Sequence, residues 1–196
     1  ITGLTNRYFA TASPGAPNGG GFSAFVSDTK FDHDRGFYTT PFELAITTAT
    51  ANATIMYTTD GSTPALGDGR SYRGRLEMSA TTVVRAAAFK DGFQPSSVDT
   101  QTYLFLADVI NQSPDGYPPA GWPDTWGANV VDYGMDPNVV NVAPYQTTIS
   151  NDLQTLPSYS IVTDLPNLFD PATGIYANPY EDGINWERPA SIELIY

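Results

Sequence analysis

The chain has 196 residues, no cysteine, one histidine and a formal net charge of −12. These numbers exclude a disulfide framework, thiolate metal sites and cysteine nucleophiles, and they leave too few imidazoles for a zinc triad. The charge argues against nucleic acid and anionic membrane surfaces as partners. No GxxxxGK is present to cradle phosphate, and no apolar run approaches the ~20 residues needed to span a bilayer.

The negative charge is not spread evenly. Up to Phe105 nine acids meet eight bases, a net of −1, whereas from Leu106 onward twelve acids meet one base, Arg188, a net of −11. Such asymmetry marks a change of module. Three parts are therefore expected: an extended arm or linker over 1–30, a β-sandwich over 31–105, and an acidic, Trp- and Pro-rich segment over 106–196. Charged residues make up 15% of the chain, against roughly 25% in ordinary soluble domains. Thr, Gly, Pro and Tyr are abundant instead; few Lys and Glu leave little helix-forming material, Thr and Tyr fit pleated surfaces, and the composition reads as a secreted β protein. The sequence opens on Ile1 with neither a Met nor a signal peptide, so it is expected to be part of something longer.

Taken in chain order, the arm contains Ser13-Pro14-Gly15-Ala16-Pro17-Asn18 and three further glycines, which cannot hold a helix. Residues 42–46 alternate apolar and other side chains, as a half-buried strand should. A strand over 54–59 follows with Ile55 and Tyr57 on one face. Asp60-Gly61 then permits positive φ, and Pro64 stops pairing. Three more strands are predicted over 71–78, 81–89 and 98–105. In the second of these, Val84, Ala86 and Ala88 share a face and Arg85 lies on the other. The spacing and turn punctuation predict an all-β, Ig-like antiparallel sandwich. In the acidic segment one short helix is predicted over Tyr145–Thr155, with Pro144 at its start and Ile149, Leu153 and Leu156 at i, i+4 and i+7. Strands are predicted over 158–163 and 190–196, and the long loop between them is expected to be functional or interface-forming.

Candidate chemistry is sparse. Asp32-His33-Asp34 offers metal ligands or a carboxylate-oriented imidazole, or simply a solvated loop. Asp164, Asn167 and Asp170 present hard oxygen donors at three-residue spacing, as Ca²⁺ accepts; Asx turns and helix caps account for the same residues. No other cofactor is expected. Among twenty-one acids, some pair meets the ~5–9.5 Å separation of glycosidase carboxylates by accident, so no enzymatic activity is expected. Trp122, Trp126, Tyr117 and Tyr133, set among Asp and Asn residues, form a candidate carbohydrate platform: ring faces stack on the C–H face of a pyranose while carboxylates and amides bind its hydroxyls. The alternative is that these rings anchor an irregular segment. The strand over 190–196 is apolar, and an unpaired edge of that kind invites association. Its Ile192, Leu194 and Tyr196, with Tyr8 and Phe9 of the arm, are candidate assembly residues, since a donated strand or arm builds a head-to-tail fibre.

The run Tyr57-Thr58-Thr59-Asp60-Gly61-Ser62-Thr63-Pro64, followed by Tyr72, Thr82-Val83-Val84-Arg85-Ala86, Gly92, Ser96 and Tyr103, resembles the chitobiase/β-hexosaminidase C-terminal-type domain. That resemblance implies an Ig-like, non-catalytic accessory module of bacterial secreted or surface proteins. Tyr8 to Asn18 looks like the closing strand and tail of a lamin-tail domain. Ser160-Ile161-Val162-Thr163-Asp164, Asn167-Leu168-Phe169-Asp170, Gly174-Ile175-Tyr176 and Trp186 to Ser191 look like the opening of the CotH kinase-like family, without the lysine and metal-binding acids such a kinase needs. The expected function is an extracellular or cell-surface structural module that assembles with copies of itself or with neighbouring domains. The alternative is a carbohydrate-binding or adhesion module whose partner is a glycan.

Overall fold

The structure, a computed structural model, describes residues 7–9, 13–17, 19–113, 115–126 and 129–196. Among them the strands, in chain order, are β1 (Ala24–Phe25), β2 (Thr29–Phe31), β3 (Gly36–Tyr38), β4 (Phe42–Leu44), β5 (Ile46–Thr48), β6 (Thr54–Thr58), β7 (Arg70–Ser71), β8 (Leu76–Met78), β9 (Thr82–Phe89), β10 (Phe93–Gln94), β11 (Asp99–Phe105), β12 (Thr125–Trp126), β13 (Asn129–Val130), β14 (Ser158–Val162) and β15 (Ser191–Ile195). Four short helices, α1 (Leu106–Ile110), α2 (Pro137–Val140), α3 (Tyr145–Thr155) and α4 (Leu165–Phe169), all lie in the acidic segment.

Five strands form one sheet in the order β3-β11-β9-β6-β7, antiparallel except where β3 runs beside β11. The pairs β2–β5 and β4–β8 lie across the core from it. The fold is an all-β sandwich, and its core follows the predicted alternation. Ile55 and Tyr57 of β6, Val84, Ala86 and Ala88 of β9, and Tyr103 and Phe105 of β11 meet Leu44, Ile46 and Met78. The small side chains of β9 let the two layers approach, while Phe42 and Tyr38 pack against the Tyr103 and Phe105 rings from the side.

Two predicted strands are broken in the structure. The run over 42–46 divides at Ala45 because β4 pairs with β8 while β5 pairs with β2. Asp32 satisfies the break: the Ala45 N–H donates to Asp32 Oδ1 at 2.7 Å, and the Asp32 N–H donates to the Ala45 carbonyl at 3.1 Å. The segment over 71–78 likewise becomes β7 on β6 and β8 on β4. Between them the Tyr72 hydroxyl accepts from the Ile46 N–H at 3.2 Å and ties the layers together. The arm is also more than a linker. Val26 is buried in the core, β2 pairs with β5, and Tyr8 exchanges backbone hydrogen bonds with Phe22.

In the acidic segment, α3 spans the predicted residues, with Pro144 at its N-cap. None of its residues is buried, so Ile149 and Leu153 are only half-covered and Leu156 is exposed. The two predicted strands pair with each other as an antiparallel ribbon, β14 against β15.

Candidate functional site

The ribbon and the sandwich meet at two polar contacts. At the first, the Asp60 turn of the sandwich is preorganised by its own sequence: Gly61 takes φ +83°, and Asp60 Oδ1 accepts from the Ser62 N–H and hydroxyl. Asp164, which follows β14, docks on this turn. Its Oδ1 accepts from the Thr63 N–H at 2.6 Å and its Oδ2 from the Thr63 hydroxyl at 2.9 Å. Arg85 reaches the same turn from β9. It donates to the Gly61 carbonyl at 2.7 Å and to Thr63 Oγ1 at 3.2 Å, and lies 3.6 Å from Asp164 Oδ1. Arg85 is predicted to lie on the face away from the core, and it does, but this corner of that face is covered: the residue is 8% exposed.

At the second contact, Glu193 of β15 turns inward onto β11. Its Oε2 accepts from the Thr102 hydroxyl, which also shares a hydrogen bond of 2.7 Å with the Ser160 hydroxyl. Glu193 Oε1 has no hydrogen bond, and Arg35 is 3.9 Å away. Burial raises the Glu193 carboxyl above its ordinary value, against the lowering effect of Thr102 and Arg35. The ribbon's inner face is therefore Val162, Glu193 and Ile195, all buried. Its outer face carries Tyr159, Ile161 and Ile192, all exposed.

This register places the assembly candidates. Ile192 and Tyr196 are exposed, Leu194 is half-buried opposite Tyr159, and β15 is already paired within its own chain. Tyr8 and Phe9 are exposed, and the Tyr8 ring packs 4.7 Å from that of Phe25. The strand and the arm thus both find intrachain partners.

The Ca²⁺ candidates are engaged separately. Asp164 holds the Thr63 turn, the Asn167 side-chain amide donates to the Thr163 hydroxyl at 2.7 Å, and Asp170 Oδ1 accepts from the N–H groups of Ala172 and Thr173. Those backbone donors hold the Asp170 carboxyl below its ordinary value. Among the described residues no group of three or more acids or histidines is placed to hold a metal ion. His33 Nδ1 lies 2.9 Å from Asp32 Oδ1, and its ring stacks on Phe42 at 4.3 Å. Asp32 also accepts from Arg75 at 3.0 Å, so the pair is part of the loop's own bracing.

The aromatic candidates do converge. Tyr117, Trp122 and Tyr133 line one open cleft of about 590 Å³ with Pro118 and Pro119. Tyr117 is 73% exposed, whereas Trp122 is held edge-on by two rings, Tyr133 at 6.0 Å and Phe169 at 5.3 Å. The Tyr133 hydroxyl donates to the Pro123 carbonyl at 2.9 Å. Trp126 lies in β12, and its side chain is outside the described part. Sequence reasoning missed Gln112 and Ser113 at the cleft wall, although Ser113 and Tyr117 stand at the four-residue spacing of a side-chain-braced turn. It also missed Phe169, whose contact with Trp122 spans two separate stretches of the acidic segment.

Fold and site together define a β-sandwich with an acidic, loop-rich segment clasped to one face. Residues 33–102 match the family model of the chitobiase/beta-hexosaminidase C-terminal domain. The match covers most of the sandwich, from β3 into β11, and stops short of β2 and of the acidic segment. No curated protein and no solved structure matches the chain.

Proposed function

We propose that the chain is a non-catalytic extracellular module with a structural role, a sandwich that fixes the acidic segment in one orientation and assembles with its neighbours. The similarity of residues 33–102 to a domain named for its place at the C-terminal end of chitobiase and β-hexosaminidase supports an accessory role. The observation that carries the reading is Asp164 on the Thr63 turn. This polar corner of the sandwich, with its buried Arg85, is engaged in holding a second segment. The sequence likeness of the flanks to lamin-tail and CotH modules fits the same setting, a chain of domains on a bacterial surface.

Assembly in this reading runs through the outer face of the β14–β15 ribbon, where Tyr159, Ile161 and Ile192 are exposed. Sedimentation velocity tests it. Concentration-dependent association that is lost in an Ile161→Glu, Ile192→Glu variant supports self-assembly; a monomer at every concentration rejects that part. A glutamyl endopeptidase tests the clasp. Faster cleavage after the exposed Glu187 in Asp164→Ala than in the parent supports it, and an unchanged cleavage pattern rejects it.

A further inference from the structure

We infer that the cleft formed by Tyr117, Trp122 and Tyr133 is a binding site for a neutral saccharide. This inference stands whether or not the chain self-associates. The cleft, about 590 Å³, falls within the ~300–1,000 Å³ range of small-ligand sites. Its walls are rings and prolines, which suit the C–H faces of a sugar. Trp122 is fixed by edge contacts to Tyr133 and Phe169, so ordering it on binding costs little further entropy. Tyr117 stands free beside it as an exposed ring.

The polar groups here have capacity left for hydroxyls. Gln112 Nε2 donates to the Tyr133 carbonyl at 2.6 Å, while Gln112 Oε1 accepts nothing from the described residues. Ser113 Oγ accepts from the Tyr117 N–H at 2.8 Å, and its hydroxyl donates to none of the described residues. The Tyr133 N–H donates to the Gly116 carbonyl at 3.2 Å, which brings Asp132 beside the Tyr117 turn; Asp132 is exposed, as is Asp115. Carboxylates and amide oxygens accept hydrogen bonds, and a hydroxyl-rich ligand supplies donors. An anionic ligand meets a segment of net charge −11 and is repelled. A polyproline run also docks on rings, but its prolines have no N–H to offer these acceptors. A neutral sugar satisfies both the rings and the acceptors.

The test is ligand-observed saturation-transfer NMR with isothermal calorimetry on the intact chain. The probes are cellohexaose, the hexamer of N-acetylglucosamine, polygalacturonate and decaproline. Binding of at least one neutral hexamer with Kd of about 1 mM or tighter, and no binding of polygalacturonate, is the expected result. Tyr117→Ala should weaken that binding about tenfold or more at unchanged Tm, because the ring is exposed, while Tyr117→Phe retains it. Trp122→Phe should also weaken it. Failure of both neutral hexamers to bind, or binding indifferent to Tyr117→Ala, overturns the inference. So does decaproline binding that Tyr117→Ala abolishes, which would assign the cleft to a peptide.

Discussion

Arg85 sits on a central strand and turns away from the core, where an arginine would ordinarily reach water. It is instead buried, with its guanidinium on the Gly61 carbonyl and its counter-charge supplied by Asp164. Asp164 is itself partly exposed, but removing it leaves the buried Arg85 guanidinium without its counter-charge, which costs more than removing both. Asp164→Ala should therefore lower stability by about 1–3 kcal/mol, read as a shift in the urea midpoint. Adding Arg85→Met should cost less than the sum of the two single changes. Additive losses would mean that the pair does not interact. The sequence could show Asp164 as an oxygen donor but not what it would meet, since Thr63 lies 101 residues away. A cap and a metal ligand have the same local spelling; only the fold distinguishes them.

Two carboxylates make opposite contributions to the pH dependence. Burial pushes Asp32 up, but the Ala45 N–H, His33 and Arg75 outweigh it and bring the carboxyl down from 3.8 to about 2. Its stabilisation is complete above pH 3.8 and is lost as the pH falls toward 2. Glu193 is raised above 4.5, chiefly by burial, so the folded state holds its proton more tightly than the unfolded chain. Its contribution is most favourable below pH 4.5 and is lost as the pH rises through the raised value. Glu193→Gln should thus gain on the parent in Tm as the pH rises from 4.5 toward neutrality. Asp32→Asn should differ from it least at the acid end. A Tm difference for Glu193→Gln that does not change with pH would show that its carboxyl is not perturbed.

At the scale of the element, alternation was a sufficient guide to which residues face the core on β6 and β9, because the inward set repeats every second residue along one strand. It failed at Ala45 and between Ser71 and Leu76, where the chain keeps its extended texture but changes partner, and a partner is a non-local fact. The same ambiguity affects β15. Its residues 192, 194 and 196 are the assembly candidates, and local pattern does not say which face turns inward; register puts Glu193 and Ile195 inside. A one-residue difference in register exchanges the faces of a strand, and the β-branched residues on both faces of β15 conceal it. Ile195→Ala should cost about 2–5 kcal/mol, as expected of a buried aliphatic. Ile192→Thr, which keeps the branch at Cβ, should stay within about 0.5 kcal/mol. The reverse order in denaturant melts would place the ribbon the other way round. For the cleft, composition picked out Tyr117, Trp122 and Tyr133. The perpendicular ring contacts that fix Trp122 depend on Phe169 arriving from α4, which no local pattern announces.

At the scale of the whole molecule, a nearly neutral sandwich carries a segment of net charge −11, whose single base is already committed. Arg188 donates to the carbonyls of Asn185, Glu187 and Thr173 and lies over the Trp186 ring. The acids of that segment therefore repel one another with little internal compensation, and the polar clasp at Asp164 and Glu193 has to hold against that repulsion. Raising NaCl from about 0.01 M to about 1 M shortens the screening length from ~30 Å to ~3 Å. The repulsion should fade while the contact of the buried Arg85 with the Gly61 carbonyl persists, so Tm should rise with salt. Calorimetry should show one transition, because the ribbon and the sandwich share buried groups. Asp164→Ala combined with Glu193→Ala should split it, with the lower transition carrying the salt dependence. CaCl₂ at matched ionic strength should act no differently from NaCl, since Asp164, Asn167 and Asp170 are each engaged elsewhere. A saturable extra rise with Ca²⁺ would instead show that these donors are drawn together around the ion. A Tm that falls with salt would mean that attractive pairs such as Arg75–Asp32 outweigh the repulsion, and that the uneven charge is not what strains the fold.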